Sequence, residues 1–279
     1  MDKTNAPHIR LIALDLDGTL FNEQKVIPPR TLEVLQAAMH RGVAVVPATG
    51  RPISGLPKAL MALHGLRYAL TSNGSRVMDL ETGKALVEFS IPRDVVRRTI
   101  ELLWTFDAQV SLFCDGQRIC RRADVEQLHL FIPPNMVDYV KNSGVQVENV
   151  LDYALDGEHT IEKINAFFTN DAERQRAWKA LDALGLGVVI TSSLPLNMEI
   201  NAPGVTKGRG LMALAEHLGL DRAQVMACGD SGNDLDMIRR AGLGVAMANA
   251  TPPVLEAADY VTLSNEEEGV AAAVEKFVL

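Results

Sequence analysis

Four short apolar runs along the chain share one shape, aliphatic in character and stopping abruptly at small or polar residues. They are residues 11–14 before Asp15, 43–46 before Thr49, 225–228 before Gly229 and Asp230, and 244–247 before Asn249. Apolar runs without alternation predict strands buried on both faces, as in a parallel sheet. Helical spacing fills the intervals. After Pro28 and Pro29, residues 30–40 carry Leu32, Leu35 and Met39 on one face, and Gly42 follows as a stop. From Lys207, Leu211, Leu214 and Leu218 repeat the pattern until Gly219, and residues 233–240 place Leu235 and Ile238 together before Gly242. Strands alternating with helices predict an open α/β sheet, a Rossmann-like core whose ligand lies beyond the carboxyl ends of the strands. The polar residues that end each run fall at that edge.

The middle of the chain has a different texture. Between residues 85 and 194 no run ends in such a cluster. Helical stretches at 94–106 and 171–184 alternate with apolar or alternating runs at 108–113, 161–168 and 187–191. The pattern predicts a smaller α/β domain inserted into the first, giving core at 1–84, insert at 85–194 and core again at 195–279. No internal repeat, low-complexity stretch or charged tail interrupts it.

Composition narrows the function classes. With 279 residues, 47% hydrophobic and 22% charged, the chain is that of an ordinary globular protein able to bury a large core. Its net charge of −8 lacks the basic footprint that a nucleic-acid partner requires, but leaves room for a small anionic substrate bound by local positive groups and a metal. Cys114, Cys120 and Cys228 cannot all pair and match no zinc spacing. The polar opening residues are unlike a signal peptide, and no run approaches the roughly 18 apolar residues of a membrane helix. The expectation is a cytoplasmic protein without a membrane or nucleic-acid partner.

The chemistry-bearing residues cluster at the strand ends. Asp15 and Asp17, two apart on an extended segment, project to one side, where their like charges call for a cation; magnesium, which takes few protein carboxylates, suits them. An Asp-Gly turn is the plain alternative; a calcium loop would need a glutamate where Val26 stands. Thr49 and Gly50 offer a hydroxyl and a backbone amide to phosphate oxygens, with a simple Gly-Pro loop as the alternative. Lys207, opening a helix, offsets negative charge or is a solvated surface lysine. In the run Gly229-Asp230-Ser231-Gly232-Asn233-Asp234, the acids and amide bind a metal, orient its ligands, or merely cap a helix. A serine-protease reading of that run fails, because Asn233 opens a helix and no His partner is patterned. Cys228 is expected to be a small buried residue, and the histidines show no metal spacing. Arg118, Arg121, Lys163 and Asn165 in the insert are candidates to touch substrate, with solvated faces the expected reading.

Taken in order, these segments resemble the haloacid dehalogenase superfamily, and within it the Cof-type phosphohydrolases. The likeness rests on DLDGTL at 15–20, TGRP at 49–52, SNG at 72–74, VTKG at 205–208, GDSGND at 229–234, GVAMANA at 244–250 and AADYVT at 257–262. Ala248 departs from it, standing where many relatives have glycine before Asn249. The resemblance implies a Mg2+-dependent phosphatase of small phosphorylated metabolites, sugar phosphates among them, with an α/β cap as the insert. It implies Asp15 as the nucleophile and Asp17 as the acid and base. It also implies Thr49, Gly50, Lys207 and Asn233 on the phosphate side, and Asp15, Asp17, Asp230 and Asp234 on the metal side. The alternatives are a phosphomutase of the phosphomannomutase type and a non-catalytic binding protein on the same fold.

Overall fold

The structure, a computed structural model, describes residues 8–132, 134–142, 144–157 and 159–279. The strands, in chain order, begin with β1 (Leu11–Leu14), β2 (Ala44–Pro47), β3 (Tyr68–Thr71), β4 (Arg76–Asp79) and β5 (Lys84–Glu88). They continue with β6 (Ala108–Cys114), β7 (Gln117–Arg121), β8 (Val145–Val147), β9 (Ile161–Phe168), β10 (Val189–Thr191) and β11 (Asn197–Asn201). The last are β12 (Val225–Gly229), β13 (Leu243–Ala246) and β14 (Tyr260–Val261). The chain divides into two compact units. One comprises the stretch ending at Gly50, Pro57–Val87 and Thr206–Leu279; the other comprises Arg51–Leu56 and Glu88–Val205.

The first unit is built on a parallel sheet in the order β14-β13-β12-β1-β2. Every residue of β1 and β12 is buried, as continuous apolar runs require. The apolar faces of the helices Lys207–His217 and Leu235–Arg240 supply Leu211, Leu214, Met237 and Ile238 to one shared core with Leu11, Ala13, Val225 and Ala227. The helix Pro29–His40 starts with proline at its first turn, where a missing N–H costs nothing, and packs against Gly269–Phe277. A small sheet, β3-β4-β5, joins through a single parallel bridge between Ala48 and Leu70. Residues 233–240, read from sequence as one helix, open with a 3-10 turn over Gly232–Asp234 before the α-helix.

The second unit carries a mixed sheet in the order β10-β11-β9-β6-β7-β8, in which only β7 and β8 run parallel. The helices Arg93–Leu103, Val150–Leu155 and Asp171–Ala183 close one face of it over Val110, Leu112, Ile164, Ala166 and Met198. The residues 195–205, which the sequence pattern placed with the returning core, belong to this unit, because β11 pairs antiparallel with β9. The opposite sheet face also departs from expectation. Arg118, Lys163 and Asn165 are buried rather than solvated. Lys163 Nζ donates to Glu199 Oε1 at 2.8 Å and lies 4.3 Å from the centre of the Phe113 ring; Arg118 Nη1 donates to the Val140 carbonyl at 2.9 Å. Arg121 is exposed and pairs with Asp124. Among the described residues, no helix is long and apolar enough to cross a membrane.

Candidate active site

All the residues singled out for chemistry in the first and last parts of the chain lie in the first unit. Register explains why. Leu14 pairs with Cys228 on one side and with Pro47 on the other, so the residues that follow β1, β2 and β12 leave the sheet at one edge. The ladder extends past the strands: Asp15 N–H donates to the Cys228 carbonyl at 3.1 Å, and Ala48 N–H to the Leu14 carbonyl at 2.7 Å. Thr49 is buried and held between Leu70 and Asn73 by backbone bonds of 2.9 and 3.0 Å.

Lys207 is the hub of this edge. Its side chain is fully buried, and its ammonium donates to Asp15 Oδ1 at 2.5 Å and to Asp234 Oδ1 at 2.7 Å. The lysine opens a helix capped by Thr206, whose hydroxyl accepts from Arg209 N–H at 3.0 Å and donates to Asp236. Gly74 makes room for that cap, since a Cβ there would lie 2.3 Å from the Thr206 carbonyl oxygen. The second oxygen of Asp234 accepts from the backbone N–H groups of Asp230 and Ser231, both at 3.0 Å, and so ties the loop after β12 into shape. Thr19 donates to Asp230 Oδ1 at 3.0 Å, and Gly18 is what lets the two loops meet: a Cβ on it would fall 2.6 Å from Asp230 Oδ2.

Asp15, Asp230 and Asp234 each bring a carboxylate oxygen to within 4.8 Å of the others. Three acids around one ammonium leave an excess of negative charge in a buried place. Burial, reinforced by the charge of Asp234, pushes the Asp15 carboxyl well above the usual range. The same two causes raise Asp230 to about 6. Burial alone would lower the Lys207 ammonium, but the two aspartates outweigh it and push it up. The cluster therefore lacks positive charge, and its donors are all oxygens, which a hard divalent cation prefers. The residues fit a magnesium-type ion.

Asp17 sits differently. Its carboxylate is outside the converging cluster and accepts from Lys25 Nζ at 2.8 Å, with about a third of the side chain exposed (35%). Asn233 donates to Asn73 Oδ1 at 3.1 Å and accepts from Ser231 at 2.8 Å. Sequence reasoning missed Thr19, Asp236 and the bond from Asn249 Nδ2 to the Gly18 carbonyl at 2.8 Å. Each stands inside or beside a motif already read, but its partner is far away in sequence, so no local pattern announces it. Ala248 is exposed.

Comparison with known proteins matches a family model described as haloacid dehalogenase-like hydrolase to residues 12–274. The chain belongs to that family. It falls among the Cof-type phosphatases, which are phosphoric monoester hydrolases. It is 32% identical over 276 residues to the 5-amino-6-(5-phospho-D-ribitylamino)uracil phosphatase YcsE of Bacillus subtilis, covering 97% of this chain and 96% of that one. It is 29% identical over 246 residues to the HMP-PP phosphatase of an Enterobacter species, covering 88% and 86%. A haloacid dehalogenase-like hydrolase from Bacteroides thetaiotaomicron superposes with a TM-score of 0.80 at 29% identity, covering 96% and 99%. The parallel core sheet and inserted mixed-sheet cap unit are the fold of this family.

Proposed function

We propose that this protein is a Mg2+-dependent phosphatase that hydrolyses small phosphorylated metabolites through a phosphoryl group carried on Asp15. The observation that carries the reading is the buried Lys207 ammonium bonded to Asp15 and Asp234, with Asp230 converging on the same point. An oxygen of Asp15 forms the new bond to phosphorus as the ester P–O bond breaks. Asp17, outside the charged cluster and partly open to solvent, gives the proton to the departing alkoxide. It then takes a proton from the water that attacks the aspartyl-phosphate, releasing inorganic phosphate and restoring Asp15. Lys207 stays in place throughout and balances charge on the transferring oxygens, with Thr49, Gly50 and Asn233 as the hydrogen-bonding groups of the phosphate side. Asp15, Asp230 and Asp234 would hold the Mg2+ by their side chains and Asp17 by its backbone carbonyl. The ion supplies positive charge that draws the phosphate to the nucleophile.

The substrate class follows the relatives, two of which are named for phosphorylated small molecules, and sugar phosphates fall within it. The three cysteines, buried and outside any disulfide, support a reducing compartment such as the cytoplasm. A phosphate-release screen across phosphorylated metabolites with Mg2+ tests the proposal. Turnover is expected for some monoesters, to vanish under chelation, and to fall by roughly four orders of magnitude in Asp15→Asn with folding retained. Release that persists in chelator, or in Asp15→Asn, overturns it. Isomerised hexose phosphate without free phosphate, in the presence of a bisphosphate activator, would make it a mutase instead.

A further inference from the structure

The second unit holds another convergence of ligand-type side chains. Cys114 ends β6, Asp115 turns the chain toward β7, and His159 precedes β9. Neighbouring residues on a strand point to opposite faces. Asp115 escapes that rule through a left-handed backbone (φ 49°), which brings its Oδ2 to 3.4 Å from the Cys114 sulfur. The same Oδ2 lies 2.8 Å from His159 Nδ1. Ligand atoms of all three residues lie within 4.8 Å of one another.

We propose that Cys114, Asp115 and His159 form a binding site for a borderline divalent ion of the zinc class, separate from the aspartate cluster of the first unit. Donor chemistry distinguishes the two places. The aspartate cluster is all oxygen and suits magnesium, whereas a thiolate, an imidazole and one carboxylate suit zinc, with water in the fourth position. Ligands of a tetrahedral zinc ion stand about 3.3–3.5 Å apart, from metal–ligand distances of about 2.0–2.3 Å. The sulfur–oxygen separation already has that value, and the histidine–carboxylate pair needs to open by only about half an ångström.

The surroundings hold the donors ready. Asp115 Oδ1 is fixed by Thr160 N–H at 3.1 Å, which leaves Oδ2 to face the other two donors. The Asp115–Gly116 turn is pinned at both amides, by the Thr160 carbonyl at 3.2 Å and by the buried Glu162 carboxylate at 2.6 Å. The Tyr153 ring stacks on His159, centroids 4.5 Å apart and 13° from parallel, and sets the imidazole plane. Cys114 is buried, but Asp115 and His159 are 45% and 27% exposed on the solvent side, which gives an ion a way in. On binding, the Cys114 thiol loses its proton to bulk water, and the imidazole presents the Nδ1 lone pair with its proton on Nε2.

Cobalt(II) is the probe, because a thiolate–cobalt bond gives a near-ultraviolet charge-transfer absorption that an all-oxygen site cannot. The full chain is titrated with Co2+ in excess Mg2+, which keeps the aspartate cluster filled. One equivalent of thiolate-bound cobalt per chain is expected, displaced by Zn2+, lost in Cys114→Ser and retained in Cys228→Ser. His159→Gln and Asp115→Asn, both changes on the solvent side, are expected to weaken Co2+ binding at least tenfold while Mg2+-dependent phosphate release stays unchanged. Absence of the absorption in the wild-type chain overturns the site, as does its survival in folded Cys114→Ser. If Cys114→Ser does not fold, undiminished binding in both His159→Gln and Asp115→Asn overturns it equally.

Discussion

Lys207 illustrates how one side chain joins the demands of folding to those of the proposed chemistry. It is buried without solvent contact, and its ammonium bonds both Asp15 and Asp234. Removing one member of a buried ion pair leaves the others uncompensated, which costs about 3–5 kcal/mol. Lys207→Met is therefore expected to lose stability of that order in urea denaturation under chelation, and to recover part of it when Mg2+ is added. Asp230 makes a second prediction. Its carboxyl titrates at about 6 in the folded chain against an ordinary 3.8. Between those values the folded state holds a proton that the unfolded state has released. In that window the ion-free protein loses stability as pH rises, with the group's favourable contribution complete only below the ordinary value. The melting temperature in chelator should fall from about pH 4 to about pH 6 relative to Asp230→Asn, and Mg2+ affinity should climb over the same interval as the ion displaces that proton. A profile identical to that of the variant would remove Asp230 from the account.

At the scale of elements, the most legible strands were those both buried and apolar throughout. β1 and β12 announced themselves as unbroken apolar runs, and so did the reactive edge that follows them. β7 (QRICR) and β11 (NMEIN) did not, because β7 has only Ile119 and Cys120 as apolar residues between polar ones, and β11 alternates apolar residues with buried polar ones. Buried Lys163 and Glu199 satisfy each other there, a compensation that no local pattern reveals. The same limit applies to the reactive edge. Asp15, Lys207 and Asp230 were found through motif spacing, whereas Thr19 and Asp236 act through partners that only the fold supplies. Gly74 tests how tightly the elements are matched. It has φ of 89°, and a Cβ would lie 2.3 Å from the Thr206 carbonyl oxygen at the head of the lysine's helix. Gly74→Ala is expected to cost about 1–3 kcal/mol and to lower kcat more than it alters KM, as the ammonium shifts off Asp15. Steady-state kinetics beside urea melts would show it, and wild-type values in both would mean the contact gives way freely.

Among the described residues, each unit has a main hydrophobic core of its own, one around β1 and β12, the other around β6 and β9, and the two share no residue. Chains with separate cores depart from two-state unfolding. Scanning calorimetry should resolve more than one transition. Mg2+ should raise only the one belonging to the unit that contains Asp15, Asp230 and Asp234, because an ion stabilises the state that binds it. A single transition, or a Mg2+ shift of every component, would show that the units melt as one.

β1 lies inside its sheet, flanked by the edge strand β2 from nearby in sequence and by the central β12 from some two hundred residues later. During synthesis on the ribosome, Asp15 therefore emerges long before Lys207, Asp230 and Asp234, while the intervening unit has all its own strands and can mature first. The nascent polypeptide stays chemically silent until its final third is released. The clustered carboxylates are thus brought together only in the finished molecule, so a prematurely terminated product carries Asp15 without Lys207, Asp230 and Asp234 beside it.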